Sequence, residues 1–254
     1  MNYTLITGAS SGIGYELAKI FAKNGDFLIL VSRNQNKLQQ ITNEFKNIYN
    51  IEVRIIPQDL SSTNASDNIY NQIKKWSISI NNIVNNAGFY IKGSFSDTFW
   101  EKEHDLIQLE CINHIKLIKL FLPEMLKNHE GGILNVCSTG SFMPGPYNAI
   151  YCASKSFMLS FTEAIAEELI NTRIRVTALC PGGTNTTFQD LNNRINTIFN
   201  PLLDPSLVAK IGYNAFMKGK RVVVPGMTNK MQVFALRLLP RKIITKLAGM
   251  YVKN

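Results

Sequence analysis

The chain has 254 residues, 45 % of them hydrophobic and 18 % charged, enough apolar content to close a substantial core in one domain of a size common among α/β folds. No run of about 18 apolar residues occurs, and the start Met1-Asn2-Tyr3-Thr4-Leu5-Ile6 has no basic region ahead of an apolar stretch, so neither a membrane span nor a secretory leader is expected. The net charge of +9 admits nucleic acid, an anionic membrane surface or a phosphorylated small molecule as partner without choosing among them.

Tyr3 to Thr7 reads as a strand, a glycine-rich turn follows, and Ile13, Leu17, Ile20 and Phe21 then recur at helical spacing. Phe27 to Val31 is a second strand with a polar helix behind it, and Ile51 to Ile56 is a third. Ser61-Ser62 is expected to cap a helix through Ile69 and Ile73. Asn82 to Asn85, Gly132 to Cys137, Ile174 to Leu179 and Arg221 to Val224 read as further strands, separated by helices around 101–128, 149–170 and 205–218. Strands joined by helices need right-handed crossovers with helices on both faces. The predicted fold is therefore α/β: a Rossmann-like, doubly wound three-layer sandwich on a seven-stranded parallel sheet, one domain over residues 1–254 with no repeat or linker. Cys111, Cys137, Cys152 and Cys180 form no C-x-x-C pair and sit mostly beside apolar residues, which predicts buried free thiols in a reducing cytoplasm; no metal centre is expected.

Gly8-Ala9-Ser10-Ser11-Gly12-Ile13-Gly14 lies between the first strand and first helix, where glycines let backbone amides approach a pyrophosphate at a helix N-terminus. The spacing is G-x-x-x-G-x-G. The same residues contain G-x-S-x-G, the nucleophile elbow of serine hydrolases, which would make Ser10 a nucleophile. That alternative needs a later acid and histidine, and His104, His114 and His129 all fall on or beside one predicted helical stretch.

Ser32-Arg33-Asn34 occupies the place after the second strand where an NAD enzyme would carry a ribose-binding acid, and no Asp or Glu appears from Phe27 to Asn43. Arg33 and Lys37 could meet a 2′-phosphate, so NADP(H) is preferred over NAD(H); the plainer role for Arg33 is to end the strand in solvent.

Tyr151-Cys152-Ala153-Ser154-Lys155 opens a predicted helix, and the i, i+4 spacing puts phenol and ammonium on one face. A neighbouring cation favours the phenolate, equipping Tyr151 to give or take the proton that accompanies hydride transfer. Ser138, Asn86-Ala87-Gly88 and Pro181-Gly182 all follow strands, at the sheet edge where open α/β folds bind ligands.

Through Thr7-Gly8-Ala9-Ser10-Ser11-Gly12-Ile13-Gly14, Asn85-Asn86-Ala87-Gly88, Ser138, Tyr151-Cys152-Ala153-Ser154-Lys155 and Pro181-Gly182, in that order, the sequence closely resembles the short-chain dehydrogenase/reductase family over about residues 3 to 225. The resemblance implies an oxidoreductase with Tyr151 as acid/base, Lys155 binding the nicotinamide ribose and lowering the Tyr151 pKa, and Ser138 orienting the substrate carbonyl. Asn113, in Cys111-Ile112-Asn113-His114, matches the family's fourth member, which holds a proton-relaying water beside Lys155; a helix asparagine bonding its own backbone is the alternative. By the same resemblance Gly8, Ser10, Ser11, Gly12, Ile13 and Gly14 hold the pyrophosphate. Asp59 and Leu60 contact the adenine, with Asp59 also free to cap the next helix. Asn86, Ala87 and Gly88 line the adenosine ribose, and Pro181, Gly182, Gly183, Thr184, Asn185 and Thr186 hold the carboxamide and pyrophosphate. Family resemblance also favours a homodimer or homotetramer.

Residues 185–205, with Phe188, Leu191, Ile195, Ile198 and Phe199, resemble the family's substrate flap, and their apolar content suggests a lipophilic carbonyl or secondary alcohol such as a lipid, steroid or aryl ketone. Phe142 and Tyr147 by the site would serve equally as a packed wall. The segment 227–254 is basic, apolar and broken by Pro240; its apolar side is expected to cover the substrate site or a neighbouring subunit, with peripheral attachment to an acidic membrane as the second reading. A non-catalytic NADPH-binding regulator remains the alternative function, and nucleic acid is not an expected partner.

Overall fold

The computed structural model describes residues 2–186 and 202–253. Strands β1 (Tyr3–Thr7), β2 (Phe27–Ser32), β3 (Val53–Pro57), β4 (Asn82–Asn85), β5 (Gly131–Val136), β6 (Ile174–Leu179) and β7 (Val222–Val223) form one sheet in the order β3-β2-β1-β4-β5-β6-β7. Every neighbouring pair is parallel. The chain leaves β1 toward β2 and β3 on one side and returns to β4 on the other, which opens a crevice at the carboxyl ends of β1 and β4.

The strands are apolar on both faces because helices cover both. Leu5, Ile29, Ile83 and Ile133 point into one core with α3 (Ala65–Lys75), α5 (His114–Asn128) and α6 (Ala149–Glu168). Ile6, Leu28, Leu30, Val84 and Leu134 point into the other, against α1 (Gly12–Lys23), α2 (Gln35–Tyr49) and α7 (Pro205–Met217). The alternation of Leu5 and Ile6 between cores is the period-two rule of a strand.

Two local expectations change. The stretch 101–128 is α4 (Trp100–Ile107), a π-helical turn at Gln108–Asn113, and then α5. Helix α3 begins after Asn64, whereas Ser61 and Ser62 belong to the preceding turn, where Asp59 Oδ1 accepts from Ser61 N at 2.9 Å and Ser61 Oγ at 2.8 Å. Ser138 follows β5 as expected and caps a short 3-10 helix, Thr139–Phe142, its Oγ accepting from Gly140 N at 3.0 Å.

Beyond β7, α8 (Met227–Leu238) and α9 (Arg241–Lys253) follow one another, separated at Leu239 and Pro240, since proline has no N–H to continue the first. Buried Asn229 anchors α8: a Cβ on Gly182 would stand 2.4 Å from its Oδ1, and its Nδ2 donates to Pro225 O at 2.8 Å. Among the described residues no helix is long and apolar enough to cross a membrane. Phe188, Leu191, Ile195, Ile198 and Phe199 of the expected flap lie outside the described residues. Its two feet are fastened together, Asn185 N donating to Leu203 O and Leu203 N to Gly183 O, both at 2.9 Å.

Candidate active site

The glycine loop is pinned to the sheet by Gly8 N donating to Val31 O at 2.9 Å. Gly8 and Gly12 have φ of 65° and 56°, a left-handed backbone that glycine adopts at no steric cost. Gly14 is required for closeness: a Cβ there would lie 2.3 Å from Gly8 O. Across from the loop, a Cβ on Gly12 would reach within 3.0 Å of Thr186 Cγ2, so the Pro181–Thr186 segment and the glycine loop face each other over the N-terminus of α1. Ser10, Ser11 and Ile13 stand on this same loop and first turn. Backbone amides at a helix N-terminus, with side chains removed where a ligand must come close, fit a dinucleotide pyrophosphate.

The Asn86 side chain braces the glycine loop, its Nδ2 donating to Thr7 O and Gly8 O, both at 3.1 Å. The backbone amides of Asn86 and Ala87 donate to Thr7 Oγ1 at 3.0 and 3.1 Å. The Leu60 side chain lies in the core and its carbonyl accepts from Asn113 Nδ2 at 2.7 Å. Asp59 caps the turn at Ser61 and not helix α3. Arg33 lies one residue and Lys37 five residues past β2, the strand that carries the loop's anchor; both are exposed, with Asn34 capping α2 between them.

At the carboxyl end of β5 the structure brings together three of the four residues expected to be catalytic. Lys155 Nζ stands 5.8 Å from the centre of the Tyr151 ring, one helical turn away on α6. Ser138 hydrogen-bonds Tyr151, and Tyr90 packs edge-on against it with ring centres 5.0 Å apart. Lys155 Nζ also donates to Val136 O at 3.0 Å, which fixes the ammonium over the end of β5.

Asn113 is not in this set. Its Oδ1 accepts from Ser66 Oγ at 2.6 Å and its Nδ2 donates to Leu60 O and Ser62 O at 2.7 and 2.9 Å, ties that fasten the π turn to the β3–α3 connection. The carboxylate of Glu110, fully enclosed, takes the place beside Lys155: Oε1 lies 3.0 Å from Lys155 Nζ, and Oε2 accepts from Ser154 Oγ at 2.7 Å. Gly88 is needed for this approach, since a Cβ on it would stand 2.5 Å from Glu110 Oε1. The reason is helical phase. A π turn inserts a residue, so side chains beyond it are rotated relative to an uninterrupted α-helix, and such turns concentrate at functional sites. The only trace in sequence is an acidic residue between Leu109 and Cys111-Ile112, a carboxylate set in an apolar run.

The electrostatics follow from this pair. Burial pushes Tyr151 up to about 12; Lys155 pulls it down, but Glu110 opposes Lys155, so the net direction is upward and not the depression expected from the lysine alone. Burial on its own would lower Lys155, and the Glu110 charge more than offsets it. His114 is buried, faces Thr7 Oγ1 at 3.3 Å and is pushed down to about 3 by burial and then by Lys155. His104 is on α4 and His129 ends α5. Neither these nor His114 hydrogen-bonds Ser10, which leaves the elbow-like G-x-S-x-G without a base among the described residues.

A cavity of about 420 Å³ lies alongside, walled by Ser94, Phe95, Pro146, Tyr147 and, from α9, Thr245, Lys246, Gly249 and Met250. Tyr147 holds φ of 65°, uncommon for a bulky residue, with its carbonyl accepting from Gly93 N at 2.8 Å. Ser138, Tyr151 and Lys155 do not line this cavity.

A sheet of this order with this edge constellation defines a nicotinamide-dependent oxidoreductase class. Residues 2–196 match the family model described as short chain dehydrogenase, and the chain belongs to the short-chain dehydrogenase/reductase family. It is similar to the ketoacyl reductase HetN of Nostoc sp., 29 % identical over 76 % of this chain and 67 % of that one. The very-long-chain 3-oxoacyl-CoA reductase of Mus musculus is 32 % identical over 70 % of this chain but only 58 % of its own length, so the chain spans little more than half of that relative. Among solved structures, a short-chain dehydrogenase from Sphingobium yanoikuyae in complex with NADPH superposes with a TM-score of 0.84 at 26 % identity, covering 93 % of this chain and 92 % of that one. A 7β-hydroxysteroid dehydrogenase structure does so with 0.89 at 25 % identity, covering 98 % and 96 %.

Proposed function

We propose that this protein is an NADP(H)-dependent reductase of a lipophilic ketone, with Tyr151 as its general acid. The observation that carries the reading is the Tyr151 hydroxyl, tied to Ser138 and set over Lys155 at the carboxyl edge of β5. A carbonyl oxygen accepting from both Tyr151 and Ser138 would be polarised, and Tyr151 gives its proton to that oxygen as the carbonyl becomes an alcohol. The nicotinamide, when bound, supplies the hydride. Gly8, Gly12, Gly14 and the Pro181–Thr186 segment are the residues that would hold it, and Arg33 and Lys37 the ones that would meet a 2′-phosphate.

Two further observations support the finer points. The exposed Arg33 and Lys37 beyond β2 stand where an acid would otherwise exclude that phosphate, and a structural neighbour carries NADPH. The cavity beside Tyr147 is faced by Phe95, Pro146 and Met250, and relatives are named for ketoacyl, 3-oxoacyl-CoA and hydroxysteroid chemistry.

The test is thermal unfolding with matched NADPH and NADH, followed by NADPH oxidation against aldehydes, ketones and quinones. A ligand at about 100 times its dissociation constant stabilises by roughly 2.7 kcal/mol. Stabilisation by NADPH above NADH, with an apolar ketone reduced faster than a polar one, is the expected result. Stabilisation by neither nucleotide would overturn the cofactor reading, and turnover confined to small polar carbonyls would overturn the substrate class.

A further inference from the structure

The positive charge of this molecule is not spread over it. From Pro205 to Asn254 there are ten Lys and Arg and no Asp or Glu, whereas residues 1–204 hold 17 basic against 18 acidic. On α8 the apolar Met227, Met231, Phe234 and Leu238 recur at intervals of four, three and four, one stripe of a helix. All four are between 63 and 71 % exposed, while Asn229 and Val233 face the protein. On α9, Ile243, Leu247 and Met250 continue the exposed apolar side, with Ile244 and Ala248 buried. Helical geometry sets Lys230 and Arg237 along one flank of the first stripe and Lys242 and Lys246 along one flank of the second.

We propose that α8 and α9 form a docking surface for an anionic lipid bilayer, the apolar stripe entering the boundary between headgroups and acyl chains while the flanking Lys and Arg engage lipid phosphates. A second copy of the chain fits worse, because matching the stripes would set one row of cations against another without an intervening acid. The cavity beside Tyr147 shares α9 as a wall, so a docked molecule turns that cavity toward the lipid. This last consequence alone rests on the lipophilic-ketone reading.

The experiment is sedimentation of the full chain with vesicles of phosphatidylcholine, alone or with about one-third phosphatidylserine, at low and high salt. Binding to the acidic vesicles at least tenfold above the neutral ones, lost at high salt, is expected. Lys230→Glu with Arg237→Glu abolishes it, as does Phe234→Ser, while NADPH-dependent reduction of a water-soluble ketone is unchanged. Equal binding by the charge-reversed variant overturns the proposal. So does absence of acidic-vesicle binding, and if light scattering then shows a dimer dispersed by Phe234→Ser, the stripe is a subunit contact. Vesicle binding without turnover of any carbonyl would leave the docking surface standing and remove the reductase reading instead.

A second inference comes from the enclosed pair at the other end of the site. Lys155 has its charge matched by Glu110 at 3.0 Å; Ser154 Oγ donates to that carboxylate at 2.7 Å, and the missing side chain of Gly88 leaves room for it. The other titratable groups facing the pair and Tyr151 are Cys111, Cys137, Cys152, Cys180, His114 and Tyr90; burial pushes Cys111, Cys152 and Tyr90 up and His114 down, and Cys180 is raised beside Cys137. We infer that Glu110 is a positioning residue that neutralises Lys155 and keeps the Tyr151 hydroxyl protonated, suiting the site to donate a proton to a carbonyl rather than take one from an alcohol. The pH profile of kcat/KM for ketone reduction reads this directly. Glu110→Gln leaves the ammonium unmatched and moves the basic limb down by about one unit, a tenfold change in proton equilibrium, while Glu110→Asp retains the wild-type limb. A limb that stays in place or moves up in Glu110→Gln overturns the inference. Should that variant not fold, ultraviolet titration of wild type against Tyr151→Phe decides: a Tyr151 phenolate already present at neutral pH overturns it, and its absence supports it.

Discussion

Under the proposed reading Tyr151 is the proton donor, and removing its hydroxyl isolates that function. Tyr151→Phe is expected to lower kcat by roughly 10²–10⁴, the usual worth of a positioned proton donor, while the NADPH-induced rise in unfolding temperature persists, since Tyr151 lies apart from the glycine loop. Arg33→Ala probes the other end of the cofactor. One charge-assisted hydrogen bond contributes about 1.5–3 kcal/mol, so the ratio of NADPH to NADH affinity should fall about ten- to a hundredfold in titration calorimetry. An unchanged ratio would return Arg33 to the simple end of a strand. These residues were legible because each sits in a motif whose spacing survives any register: a glycine loop between strand and helix, and Tyr and Lys one turn apart. Glu110 was not, because which side chain faces Lys155 depends on helical phase, and apolar positions such as Leu106, Leu109 and Leu117 are buried whether or not a π turn lies between them.

At the scale of elements, Asn113 shows how a plausible site residue becomes a fastener. Asn113→Ala removes bonds to Leu60 O, Ser62 O and Ser66 Oγ; Ser62 O keeps Ala65 N and Ser66 Oγ keeps the Asn113 carbonyl, so the buried Leu60 O is the group left without this partner, and at about 1–3 kcal/mol for an orphaned group a loss of at least about 1 kcal/mol is expected in urea unfolding. The pH limbs of turnover should stay where they are, which separates Asn113 from Glu110. The strands were the most readable elements: burial on both faces selects continuous apolar runs, so Tyr3–Thr7 and Ile174–Leu179 were bounded correctly. Helix starts were less so, because Ser61, Ser62 and Asn64 are all chemically able to cap, and only the Asp59 turn and the Asn113 bonds decide that Asn64 precedes α3.

For the molecule as a whole, acid is the revealing perturbation. Folded His114 is held near 3 against an ordinary value of about 6.5, so between those limits the unfolded chain binds the extra proton and the folded one does not. The stability it contributes is complete above about 6.5 and is lost as pH falls toward 3, by roughly 4 kcal/mol over the window. Wild type should therefore lose more stability between pH 6.5 and 4 than His114→Gln does, as followed by circular dichroism, and equal losses would place the acid sensitivity elsewhere. The joined feet of the segment between Thr184 and Leu203 have a consequence for how such proteins diversify. Because those two backbone bonds close the segment on itself beside the site, its interior can be exchanged like a cassette, in length and in chemistry, with the sheet, the glycine loop and Tyr151 left undisturbed. Grafting a relative's segment between these feet should therefore leave the fold intact, as thermal unfolding would show.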